Sequence, residues 1–124
     1  MTDTLSIAAG GALGALARYW VSTAVYALLG RGFPYGTLVV NVVGSAAMGF
    51  LYVMVLERTD LGPAWRGALL VGFLGAFTTF SSFSLETLAL LENGMRLRAA
   101  GNVVASVLLC LLACWVGLVI ARRL

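Results

Sequence analysis

Residues 72–84 read GFLGAFTTFSSFS, and the reading of this stretch decides the fold. It holds two glycines, two threonines, three serines and four phenylalanines in a chain that is otherwise close to continuous hydrocarbon. Of the 124 residues, 61% are hydrophobic and 10% charged, far from the roughly half-apolar, quarter-charged usage of soluble domains. That composition belongs to an integral membrane protein. A helix needs about 20 apolar residues to span the bilayer core, and four runs qualify: about Leu5–Leu29, Tyr35–Leu56, Ala64–Leu91 and Ala100–Ala121. Breakers and charges separate them at Gly30 to Pro34, Glu57 to Pro63 and Glu92 to Arg98. The expected fold is an all-α membrane protein, a single four-helix transmembrane domain over residues 1–124. No loop is long enough to hold a soluble domain, so function is expected inside the membrane.

The net charge of +3 rests on eight arginines and no lysine, placed mostly at the ends of apolar runs. This suits headgroup contact rather than the basic stripe that nucleic acid requires. The absence of histidine removes the usual parts of zinc sites and of a Ser-His-Asp triad, which argues against an enzyme. Cys110 and Cys114, four apart on one helical face, read as small buried hydrophobes. The first run lacks the basic start of a signal peptide and reads as a retained helix, although Ala15, Leu16 and Ala17 imitate a cleavage site.

An even number of spans puts both termini on one face, with Arg58, Arg66, Arg122 and Arg123, opposite Arg31, Arg96 and Arg98. Arginine asymmetry between loops normally sets orientation, and here it is nearly absent. Two readings stand. Weak cues set a single orientation, or two oppositely inserted copies pair about a twofold axis in the membrane plane, supplying the inverted symmetry that transporters obtain from internal repeats. Small residues four apart, Gly10 with Gly14 and Ser45 with Gly49, read as close helix contacts.

A rise of about 1.5 Å per residue gives each polar residue a depth. Arg18 lies roughly 10 Å short of the face opposite the termini, and Asn41, Phe80, Phe83 and Ser106 fall near the same level. An intramembrane arginine costs about 2.5–3.5 kcal/mol on insertion scales, so Arg18 either faces a polar cavity or snorkels to the interface. Asn41 offers amide donors to an anion or serves as an interhelical hydrogen-bond partner. Gly75 to Thr78 sits near the midplane and is made of poor helix formers. It is either a helix break, tolerated there only when buried or lining a cavity, or part of an unbroken helix. Freed carbonyls at a break are cation ligands, and an in-plane twofold axis would bring those of two copies together.

The runs GFLGAFTTFSSFSLE at 72–86, PYGTLVVNVVG at 34–44 and GGALGALARY at 10–19 together resemble the Fluc (CrcB) family of fluoride channels. The match covers the order and spacing of the first three helices; the fourth matches mainly in character. The resemblance implies a fluoride-selective passive channel in the cell (inner) membrane, exporting toxic cytoplasmic fluoride. It implies an antiparallel dual-topology homodimer with two pores. Phe80 and Phe83 match the family's pore phenylalanines, Asn41 its pore asparagine and Arg18 its vestibule arginine. Gly75 and Thr78 match the positions whose backbone carbonyls hold a structural sodium ion (Na+) at the dimer centre. Thr79, Ser82 and Ser106 join the candidate fluoride lining, with Ser81 and Ser84 offering further hydroxyls; spacing leaves Thr79, Ser81, Ser82 and Ser84 each open between pore lining and helix packing. Ring edges are positive, which suits Phe80 and Phe83 to an anion.

Glu86 corresponds to an acidic position after the phenylalanine motif and reads as a pore-mouth residue or a solvated carboxylate. Asn102, Ser106, Cys110 and Cys114 form one stripe on the fourth helix, where the family carries a polar track; cysteine is a weaker donor. Two other classes fit the architecture. A small dual-topology multidrug-type transporter would carry a first-helix carboxylate, but that helix holds only Arg18 within the membrane. A non-conducting structural subunit gives no reason for polar groups at matched depth.

Overall fold

The computed structural model describes all residues, Met1–Leu124. Four helices long and apolar enough to cross a membrane follow one another: α1 (Thr2–Leu29), α2 (Tyr35–Arg58), α3 (Pro63–Glu92) and α4 (Arg96–Arg123). The protein is an all-helical, multi-pass membrane protein. Each helix runs past the apolar stretch that marks it in the sequence, because arginine and glutamate continue a helix into the headgroup layer as readily as leucine does. Gly30 (φ 80°) ends α1 and Gly94 (φ 76°) turns the chain between α3 and α4, in backbone territory that side chains disfavour. Pro63 opens α3, where a missing N–H breaks no hydrogen bond.

Close packing is set by glycines, as their spacing suggests. A Cβ on Gly10 would fall on the Ala68 carbonyl oxygen, and one on Gly14 on that of Phe73, so α1 lies directly against the first half of α3. Gly49 meets the Cys114 carbonyl and Gly117 the Ala46 carbonyl, which brings α2 into backbone contact with α4. Small residues permit such approach, and in lipid the gain is van der Waals contact rather than hydrophobic burial. Only 19 of the 124 residues are buried, so most of the apolar surface of a single chain faces outward.

The arginines divide between two ends. Arg58 donates to the Arg122 carbonyl oxygen at 2.8 Å, and Arg122 pairs with Glu57 at 3.0 Å. At the other end Arg98 donates to the Gly32 carbonyl oxygen at 2.8 Å, and the Arg31 guanidinium lies 4.6 Å from the Tyr26 ring centroid. These groupings reproduce the two faces assigned from sequence.

The central feature is α3. It opens with a single α-helical turn (Pro63–Arg66), widens into a π-helical stretch (Gly67–Leu74) and returns to α geometry at Gly75–Phe77. The helix then stops. Thr78 (φ −81°, ψ 156°) and Thr79 (φ −150°, ψ 112°) are extended, and the helix resumes over Phe80–Glu92. The break is real, but the expected window needs correcting: Gly75 (φ −62°, ψ −36°) is helical, and of Gly75 to Thr78 only Thr78 lies in the break.

Candidate functional site

The break survives because its polar groups are claimed. Thr79 is 8% exposed, so water does not satisfy it. Its N–H donates to Asn41 Oδ1 at 2.7 Å, and Asn41 Nδ2 donates to its carbonyl oxygen at 3.0 Å. The side chain of Asn41, on α2, thus stands in for two missing helical bonds. Thr79 also caps the second half of α3: its Oγ1 accepts from the Ser82 N–H at 3.2 Å and bonds Ser82 Oγ at 3.0 Å.

Two carbonyls lose their partners in consequence. A continuous α-helix would direct the Thr79 N–H to the Gly75 oxygen and the Ser82 N–H to the Thr78 oxygen. Both donors are used elsewhere. Gly75 is exposed on the chain surface and Thr78 is half-buried. The first half of α3 therefore ends in carbonyls near the midplane, a partial negative charge, and the second half begins there with free N–H groups, a partial positive charge. One break presents a cation-favouring and an anion-favouring helix end side by side.

Two cavities meet at Thr79. The larger, about 480 Å³, is a groove lined by Asn41, Thr78, Thr79, Phe80, Phe83 and Ser106, and it continues along Cys110 and Cys114 of α4. Phe80 is 78% exposed and its ring lies 5.3 Å from that of Phe83, at 45°. Ser106 is buried and anchors a chain of hydrogen bonds: Ser106 Oγ to Asn102 Oδ1 (3.4 Å), Asn102 Nδ2 to Thr87 Oγ1 (2.9 Å), and Thr87 Oγ1 to the Phe83 carbonyl oxygen (2.7 Å). This chain ties α4 to the second half of α3 and fixes the backbone under Phe83. Of the fourth-helix stripe read from sequence, Ser106, Cys110 and Cys114 face the groove, whereas Asn102 is buried and does not line it.

The smaller cavity, about 280 Å³, is lined by Arg18, Tyr26, Thr37, Thr79, Ser82 and Glu86 among others. Arg18 is half-buried on its wall, without a hydrogen bond or ion pair in the chain. Glu86 accepts from Thr37 Oγ1 at 2.8 Å and from the Tyr26 hydroxyl at 3.4 Å through one oxygen, while the other oxygen is buried without a donor.

The candidate residues thus fall into two groups that matched depth had merged. Asn41, Phe80, Phe83 and Ser106 share the groove, Arg18 and Ser82 share the polar cavity, and Thr79 belongs to both. Gly75 lines neither. Glu86 is not a freely solvated carboxylate, because Thr37 and Tyr26 reach it from α2 and α1. Sequence reasoning singled out neither of these two partners; the signal available was a threonine within PYGTLVVNVVG. Ser84 is spent on the Phe80 carbonyl oxygen at 2.9 Å.

The profile of the family described as CrcB-like protein, Camphor Resistance (CrcB), matches residues 5–118. A protein of Methylococcus capsulatus called "Fluoride-specific ion channel FluC" is 64% identical over 119 residues, 96% of this chain and 52% of its own length. The chain thus spans about half the length of that relative. Proteins of the same name from Magnetococcus marinus and Geobacter sulfurreducens are 54% and 50% identical, over 94% and 100% of both chains.

Proposed function

This chain belongs to the CrcB family, and we propose that it is a fluoride-selective passive channel of the cell inner membrane that lets toxic cytoplasmic fluoride out. The observation that carries the reading is the break at Thr78–Thr79: a helix N-terminus opens at mid-membrane into a groove walled by Phe80, Phe83, Asn41 and Ser106. Fluoride holds its water tightly, so a path must offer donors at every step. The half-helix N-terminus, the ring edges of Phe80 and Phe83 and the Asn41 N–H left over from its bonds to Thr79 supply them in turn, and the Ser106 hydroxyl, whose proton goes to Asn102 Oδ1 at 3.4 Å, would join them on turning from that bond. Arg18 contributes an unpaired positive charge that concentrates anions in the polar cavity. Thr79 and Ser82 carry hydroxyls between that cavity and the groove.

The working unit in this proposal is an antiparallel homodimer of dual topology, enclosing two pores. A single chain leaves Phe80 exposed and the groove open along one side, which a second copy would close. Sodium fits the residues present: the Gly75 and Thr78 carbonyls have lost their helical donors, and two such carbonyls from each copy would hold one ion. Bound there, it would neutralise helix C-terminal dipoles that face one another across the axis.

The current through single dimers in planar bilayers tests the proposal. Fluoride should carry current that is symmetric about zero voltage and indifferent to an imposed pH gradient, and replacing fluoride with chloride should abolish it. Rectification in single dimers would contradict the antiparallel arrangement, and pH-driven flux would contradict a passive pore.

A further inference from the structure

We infer that the groove contains a binding site for a soft, thiophilic metal cation, built from Cys110 and Cys114 of α4 and Met48 of α2. All three side chains line the same cavity. Both cysteines are free thiols, and all three residues are half-buried, open to the groove yet screened by the bundle. Residues four apart on a helix have Cβ atoms about 5–6 Å apart on one face, and two metal–sulfur bonds of about 2.3 Å span that separation with modest side-chain rotation. The third sulfur comes from across the groove. A Cβ on Gly49 would fall on the Cys114 carbonyl oxygen, so the α2 and α4 backbones touch beside Met48.

The donor set decides the ligand class. Thiolate and thioether sulfur prefer monovalent copper or silver and divalent mercury over hard cations, and no carboxylate lines this groove. On binding, the two S–H bonds break, two metal–sulfur bonds form and the two protons leave to water; Met48 adds a lone pair and releases nothing. No oxidant is needed. The bound ion would sit in line with Phe80, Phe83 and Ser106 and plug the groove. The metal site stands on the sulfurs alone; its effect on conduction rests on the channel reading above.

Mercuric ion is the probe. On purified dimer in detergent, the near-ultraviolet sulfur-to-mercury absorbance should saturate at one ion per chain, with one proton released per cysteine. Cys110→Ser and Cys114→Ser should each weaken binding by at least about tenfold, the order by which metal sites suffer from losing a supporting group, and the double variant should show no such absorbance. Saturation at two ions per chain, or single variants that bind as tightly as the unaltered protein, would mean independent thiols and overturn the site. Liposome flux separates the two claims. Mercury should stop fluoride efflux, dithiothreitol should restore it, and the double variant should show the same efflux with and without mercury. Stoichiometric binding with undiminished efflux would uphold the site and overturn the plug, whereas absent efflux before any mercury is added would fault the channel reading and leave the absorbance result standing.

Discussion

Replacing Asn41 with leucine should cost stability as well as conduction, because the side chain completes the backbone of another helix. Asn41→Leu removes the acceptor of the Thr79 N–H and the donor to its carbonyl oxygen, held at 2.7 and 3.0 Å. Each buried group left unpaired costs about 1–3 kcal/mol. Interhelical side-chain bonds in membranes average about 0.6 kcal/mol, since the unfolded chain in lipid also finds partners. Those averages describe side chains with alternatives. Thr79 is 8% exposed and sits at a break, so the larger scale applies, and a loss of about 3 kcal/mol is expected, roughly 150-fold in the folding equilibrium. Thr79→Ala is the comparison: it removes the helix cap but keeps the backbone clamp, and should cost about 1 kcal/mol. Because both changes act on Thr79, the double variant should lose less than the sum. Unfolding in rising fractions of denaturing detergent, followed by the fluorescence of Trp20, Trp65 and Trp115, measures these losses. An Asn41→Leu protein as stable as the unaltered one but unable to conduct would refute the clamp and assign Asn41 to the ion alone.

Phe80→Ile should reduce fluoride throughput while dimers persist in size-exclusion profiles, because it removes the ring edge and keeps apolar bulk; equal loss of dimer and flux would assign the ring to packing. If the proposed dimer holds sodium, exchange of sodium for a large organic cation should lower the protein's thermal midpoint and its conductance together, and a conducting protein indifferent to sodium would remove the ion from the account. Gly72→Ala places a Cβ against the Ile7 carbonyl and the Gly11 N–H and should destabilise by about 1–3 kcal/mol, the usual penalty of overpacking. Gly101→Ala, in α4 with open space around it, should stabilise by about 0.5–1 kcal/mol, and both values come from the same unfolding titration.

The four spans were legible because hydrocarbon runs of that length have one use. Their ends were not, since Arg58, Arg96 and Arg123 extend helices that hydropathy alone would stop. Poor helix formers pointed to the neighbourhood of the break. They missed its position, because propensity marks Gly75 while the break is fixed at Thr79 by Asn41, a partner 38 residues away. The same contact turns Asn41 from a free pair of donors into a backbone clamp with one N–H to spare. Depth along a helix placed Arg18 and Phe80 at one level, but depth carries no azimuth, so the division into a polar cavity and an aromatic groove appeared only with the packing. Glu86 shows the same limit: a carboxylate near an interface reads as solvated until Thr37 and Tyr26 are seen to reach it. The π-helical stretches Val53–Arg58 and Gly67–Leu74 left no mark in the sequence.

The most direct test of the central claim is anion efflux from liposomes carrying the purified protein, with fluoride-selective and chloride-selective electrodes read in parallel. The account predicts fluoride release on addition of a counter-ion ionophore, without chloride release above that of protein-free vesicles. Well-folded protein that releases no fluoride, or that releases both ions alike, would contradict it.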